Sequence, residues 1–272
     1  MAALCTACVR PTAVASFAAA AGRTSAQLPD VASDLYASCL RFEGYKAARR
    51  GDGWYEPADL VPPCAARDSA VRRVVAMNRL LAGYWSALGA LADDRVVAYD
   101  KNLDRLATAL NADAGLARDR ARAITGIASF LGTAVTEGYR RRQLVEAIDS
   151  QHDNVARLVE GVREIVATDY ANALEVEHQG MSLFYHALWR EGAAREPIAA
   201  ALLRDARDER DAALLRKQAA LTDLADALRL VRAGHERLYA SRHDLNGPAL
   251  VAELATYAAR LDAAVVAIQK AF

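Results

Sequence analysis

The sequence has no surplus of charge of either sign, since 34 Lys and Arg stand against 34 Asp and Glu in 272 residues. A chain that grips nucleic acid needs extra cations for phosphate contacts, so this balance argues against a nucleic-acid partner. Aromatic residues are scarce at 7% while apolar residues reach 53%, so small aliphatic side chains, alanine above all, carry the apolar fraction. That fraction is too large for a disordered chain. Ala with Leu, Arg and Glu favours helices that approach one another closely. No strand-like alternation of useful length occurs, and no apolar run reaches the roughly 18 residues that a membrane-spanning helix needs. Catalytic motifs are also missing: there is no phosphate-cradling glycine loop, nucleophile elbow, H-E-x-x-H or calcium loop. The expectation is a protein that is not an enzyme and carries no cofactor.

Cysteine is confined to the first quarter of the chain, as Cys5, Cys8, Cys39 and Cys64. Cys5 and Cys8 form a C-x-x-C without the strand–helix context of a redox motif. No His precedes His152, so a zinc site lacks nearby ligands. The segment Leu4-Cys5-Thr6-Ala7-Cys8 resembles the lipobox of bacterial lipoproteins, with Thr6 and Ala7 at its two small positions. The resemblance covers these residues only. It implies that residues 1–8 are a signal-peptide remnant and that Cys8 is the acylated residue. The chain would then be held by lipid at the periplasmic side of a bacterial envelope. Cys5 stands where Leu or Val is usual, and Met1-Ala2-Ala3 supplies neither a basic region nor a full apolar one. A start assigned too late, or a shortened chain, would explain both departures.

If Cys8 carries lipid and Cys5 leaves with the signal, Cys39 and Cys64 remain as a pair. An exported protein can oxidise them, whereas a cytosolic one normally cannot. The bond would close a loop of about 25 residues, worth on the order of 3 kcal/mol by chain entropy. The alternative is two buried free thiols acting as small hydrophobes.

No proline interrupts residues 64–196, and long helices are expected there. The spacing of Leu28, Val31, Leu35, Cys39 and Phe42 predicts a first helix over 12–48, kinked or split at Gly22 and Pro29. A non-helical insert follows at about 50–65. A second helix is expected over 66–112, on the stripe Val74, Met77, Leu81, Tyr84, Leu88, Leu91, then Val96, Tyr99, Leu103, Leu106 and Leu110. The slip at Ala92-Asp93-Asp94-Arg95 is read as a change of winding within it. Asn111 to Gly115 should form a hairpin turn. The third helix, from Leu116 through Ile124, Ile127, Leu131, Leu144, Ile148, Val155, Leu158 and Val162, should bend or break near Thr168-Asp169-Tyr170. Gly83, Gly89, Gly126 and Gly132 within these helices are expected to face other helices. A fourth helix should begin at Pro197 and reach about 241 with heptad spacing from Leu214 to Leu238. The last should follow Asn246-Gly247-Pro248. These readings give an all-α, elongated antiparallel bundle, coiled-coil-like, of about five helices, as one domain over 9–272.

Glu175 and His178 form an E-x-x-H on one helical face, the half-motif of di-iron bundles. Asp149 with His152 is its nearest complement, and Gln179 and His186 lie close in sequence. No acidic cluster from a second helix is expected to face Glu175 and His178, so they stand as weak metal candidates and the expected metal is none. His235 falls at a heptad core position, where an imidazole should bond a neighbouring backbone or carboxylate group and fix register. Arg72-Arg73 and Arg140-Arg141-Arg142 read as polar helix faces, as does the mixed-charge run 204–211. Trp54, Tyr55, Trp85 and Trp189 read as packing anchors.

The function expected from these features is a non-enzymatic scaffold or protein-interaction module, tethered to a membrane through Cys8 and able to self-associate. A cytosolic, BAR-like adaptor for membrane surfaces is one alternative. A metal-dependent helical-bundle enzyme using Glu175 and His178 is the other.

Overall fold

The computed structural model describes residues 11–49, 56–97, 102–111, 116–133, 140–192 and 195–272. Among these the chain is all-α, with no strand. The helices are α1 (Thr12–Arg49), α2 (Val61–Ala92), α3 (Asn102–Asn111), α4 (Arg118–Thr133), α5 (Arg140–Glu164), α6 (Ala171–Gly192), α7 (Pro197–Ala240) and α8 (Pro248–Ala271). A 3-10 turn, Pro57–Leu60, leads directly into α2, and a π-helical turn, Ile165–Tyr170, joins α5 to α6 without interruption. Counted as continuous rods, the described helices number seven rather than about five.

Three local expectations change. First, α1 runs unbroken through Gly22 and Pro29. Pro29 has no N–H to offer the carbonyl of Ser25 one turn back. The buried Asn78 side chain supplies that bond instead, its Nδ2 donating to the Ser25 carbonyl at 2.9 Å. Second, the slip at 92–95 ends a helix. Arg95 N–H donates to Ala90 O at 2.7 Å and Asp94 N–H to Leu91 O at 3.3 Å, the paired bonds of a Schellman cap. Asp94 takes the left-handed position, with φ of 57°, where glycine is usual. Val96, counted in the stripe, is 71% exposed. Third, the interruption expected at Thr168 to Tyr170 is the π turn, which accommodates an extra residue while keeping the backbone hydrogen-bonded.

Contacts gather the chain into two compact units. One comprises the residues up to Gln27, with Ala76–Arg163 and Asp226–Val266. Its buried side chains include Phe17, Leu80, Tyr84, Trp85, Ile124, Ile127, Leu158, His235 and Leu261. The other comprises Leu28–Val75, Glu164–Ala225 and Ala267–Phe272, with Leu35, Cys64, Tyr170, Leu174, Met181, Leu224 and Ile268 buried.

Within the first unit α3 packs on α4; the turn at Gly115 lies outside the described residues. A Cβ at Gly83 would stand 3.1 Å from Leu131 and 3.3 Å from Leu103, and one at Gly89 3.6 Å from Ala18. Gly126 faces the Asn154 amide of α5, a movable neighbour, whereas Gly132 is exposed, contrary to expectation. At Gly234 of α7 the neighbour is less yielding: a Cβ would lie 2.3 Å from the fully buried ring of Phe17. We expect Gly234→Ala to lose about 1–2 kcal/mol, overpacking against Phe17 outweighing the gain in helix propensity. Thermal unfolding with a Phe17→Leu rescue checks this. A variant as stable as the parent would show that the ring yields freely.

Candidate functional site

Asp34 and Arg41 lie seven residues apart on α1, two turns along one face, in the second unit. Tyr170, the last residue of the π turn, and Glu177 of α6 are spaced the same way, and Lys217 comes from α7. These five residues close a network. Arg41 reaches Asp34 through Nη1 and Nη2 at 3.0 and 3.2 Å, and Glu177 through Nε and Nη2 at 2.5 and 2.9 Å. Lys217 Nζ donates to both Asp34 oxygens at 2.8 Å, and the Tyr170 hydroxyl donates to Asp34 Oδ2. Phe272 packs its ring against Tyr170 and under Lys217.

Burial alone would push the Asp34 carboxyl up, but hydrogen bonds from Arg41, Lys217 and Tyr170 outweigh it and hold the group below its ordinary value. Burial likewise works against the Arg41 cation, and bonds to Glu177 and Asp34 reverse it, so Arg41 holds its proton more firmly than usual. Burial and the Asp34 charge push the Tyr170 phenol up, which keeps it a donor. Two cations and two carboxylates thus neutralise one another in a partly desolvated place.

Beside the network opens a cleft of about 530 Å³. Arg41, Glu177 and Lys217 form part of its wall, with Tyr45, Phe184 and Arg210. A second groove, of about 480 Å³, lies along α6 and α7. There the Arg204 guanidinium sits 5.0 Å over the Trp189 ring, with Leu183, His186 and Leu203 around them. Trp189 is 37% exposed, so it is no simple packing anchor, and Ile198 and Leu202 nearby in sequence are 79% and 66% exposed.

The first unit holds a different polar cluster. His235 is buried and shares a 2.6 Å hydrogen bond with the Tyr84 hydroxyl, rather than with a backbone or carboxylate group. Burial, helped by the nearby His152, pushes its imidazole down to about 3, so it is neutral. Burial pushes the Tyr84 phenol up, so the bond joins a protonated phenol and a neutral imidazole. His152 stacks between His235 and Tyr239, at ring separations of 5.8 and 4.0 Å. Trp85 Nε1 and His152 Nδ1 are buried there with no hydrogen-bond partner.

No protein-family model, no curated protein and no solved structure matches this chain. Its site residues must therefore be weighed on geometry alone. Cys8 lies outside the described residues. Cys39 of α1 and Cys64 of α2 are joined, with Cα atoms 5.9 Å apart. Glu175 is exposed and accepts a bond from Gln179, while His178 Nε2 meets Asp211 Oδ1 of α7 at 2.7 Å. The two are therefore not brought to one site. A single carboxylate from a second helix, Asp211 of the mixed-charge run, meets His178, and no acidic cluster accompanies it among the described residues. Asp149 pairs with Arg242 at 2.7 Å and not with His152. Among the described residues no three His, Cys, Asp or Glu side chains converge as metal ligands. Reading the sequence missed Asp34, Arg41, Glu177 and Lys217. The available signal was opposite charges at heptad spacing beside the Leu28–Phe42 stripe.

Proposed function

We propose that this chain is a non-enzymatic helical interaction module, exported and held at a bacterial membrane by lipid on Cys8. The observation that carries the reading is the Cys39–Cys64 pair, since such bonds persist in oxidising compartments and are rare where thiols are kept reduced. The exposed Trp189–Arg204 groove supports the interaction role, because partly exposed Trp and Arg on an apolar strip are the residue types that dominate protein interfaces. No described helix is long and apolar enough to cross a membrane, so attachment rests on the anchor.

Expression from the native locus with labelled palmitate tests both halves. Label should enter the chain and disappear in Cys8→Ala. Cys39 and Cys64 should resist maleimide until reductant is added. Reduction, or replacement of both by alanine, should lower stability by on the order of 3 kcal/mol, several degrees in Tm. An unlabelled chain with freely reactive thiols would overturn the proposal.

A further inference from the structure

The cleft beside the charge network carries an inference that is independent of export or anchoring. Glu177, 2% exposed, is held by two bonds from Arg41, and Lys217 is spent on Asp34. Two of the three lining cations, Arg41 and Lys217, are thus balanced by buried carboxylates. Arg210 is the exception. Its Nη1 donates to the Tyr185 hydroxyl and its guanidinium lies 5.7 Å from that ring, but among the described residues it has no carboxylate partner. A guanidinium offers five N–H donors in a planar fork suited to a carboxylate, so most of its capacity is free. Tyr45, half-buried, also lines the cleft, and its hydroxyl makes no hydrogen bond among the described residues.

Most of the remaining wall is apolar, with Leu40, Leu60, Phe184 and Leu214 among its members. The volume, about 530 Å³, falls within the range of small-molecule sites. A wall held by the Asp34–Arg41–Glu177 network is already ordered before a ligand arrives, which lowers the cost of binding. We infer that this cleft binds a single-chain amphiphile bearing one carboxylate, its chain against Phe184, Leu40 and Leu214 and its headgroup on Arg210 and Tyr45. One net uncompensated cation selects one negative charge. A cationic ligand finds no free carboxylate, because Glu177 and Asp34 are fully engaged.

Calorimetric titration of the whole chain at neutral pH, with decanoate and with decan-1-ol below their aggregation limits, tests this. Decanoate should bind one-to-one in the micromolar range, and decan-1-ol at least about tenfold more weakly, since a charge-assisted bond is lost. Arg210→Gln should reduce decanoate binding to the level of the alcohol. Arg210 is exposed and has no ion pair among the described residues, so this variant should melt with the parent. Ala48→Trp, at an exposed lining position, should abolish binding of both probes by filling the cleft. The inference is overturned by absence of saturable binding to the parent chain. Equal binding of acid and alcohol, or binding unchanged in either variant, overturns it too.

Discussion

Asp34→Ala should destabilise the protein by about 3–5 kcal/mol, the largest effect expected of any single substitution here. Asp34 is 15% exposed at its side chain and accepts bonds from Arg41, Lys217 and Tyr170. Removing it leaves the Lys217 ammonium, 18% exposed, without its carboxylate, and Arg41 with only Glu177. Leaving a partly buried cation unpaired costs far more than the pair contributes, because desolvation is no longer offset. Tyr170→Phe removes one donor and should cost only about 1 kcal/mol. Urea unfolding followed by circular dichroism measures both. If Asp34→Ala lies within about 1 kcal/mol of the parent, the network is an ordinary surface ion cluster and its burial has been overstated.

The second large effect concerns acid. His235 is neutral in the fold with its value pushed down to about 3, whereas in the unfolded chain it returns to its ordinary 6.5. Below 6.5 the unfolded chain therefore binds a proton that the folded chain refuses, and stability is lost as pH falls toward the folded value. Over that window the slope from this one group approaches about 1.4 kcal/mol per pH unit. Asp34 acts in the same direction in a lower window. Its carboxyl lies below the ordinary 3.8, so its contribution is present above that value and disappears beneath it. The two are separable. His235→Gln should flatten the loss between about pH 6 and 4 while leaving the steeper acid limb in place. Glutamine also disturbs packing against Tyr84 and Trp85, so the decisive reading is the slope of stability against pH. An unchanged slope would show that His235 is solvated enough to titrate normally.

Helix content and the helix starts at Pro197 and Pro248 were legible because apolar periodicity and proline placement act locally. The end of α2 was misread for an equally local reason. A Schellman cap ordinarily announces itself by glycine, and here Asp94 adopts the left-handed conformation in its place. Pro29 misled in the opposite direction. The split expected there does not occur: α1 continues through Pro29, and the Ser25 carbonyl left without a backbone donor takes its bond from Asn78, 53 residues away.

The candidate site was still less legible. E-x-x-H is a strong local pattern, yet Glu175 points to solvent and His178 meets Asp211, while the network gathers isolated charges from α1, the π turn, α6 and α7. Apolar periodicity alone makes this chain helical, and Cys39 and Cys64, the pair expected from the sequence, are joined. Which charges are buried and paired, and which arginine lacks a carboxylate among the described residues, follows from how α1, α6 and α7 pack. The physical reason lies in range. Backbone propensity and apolar periodicity act within a few turns of helix, whereas the energy of a charge depends on its distance from water and from partners contributed by distant segments.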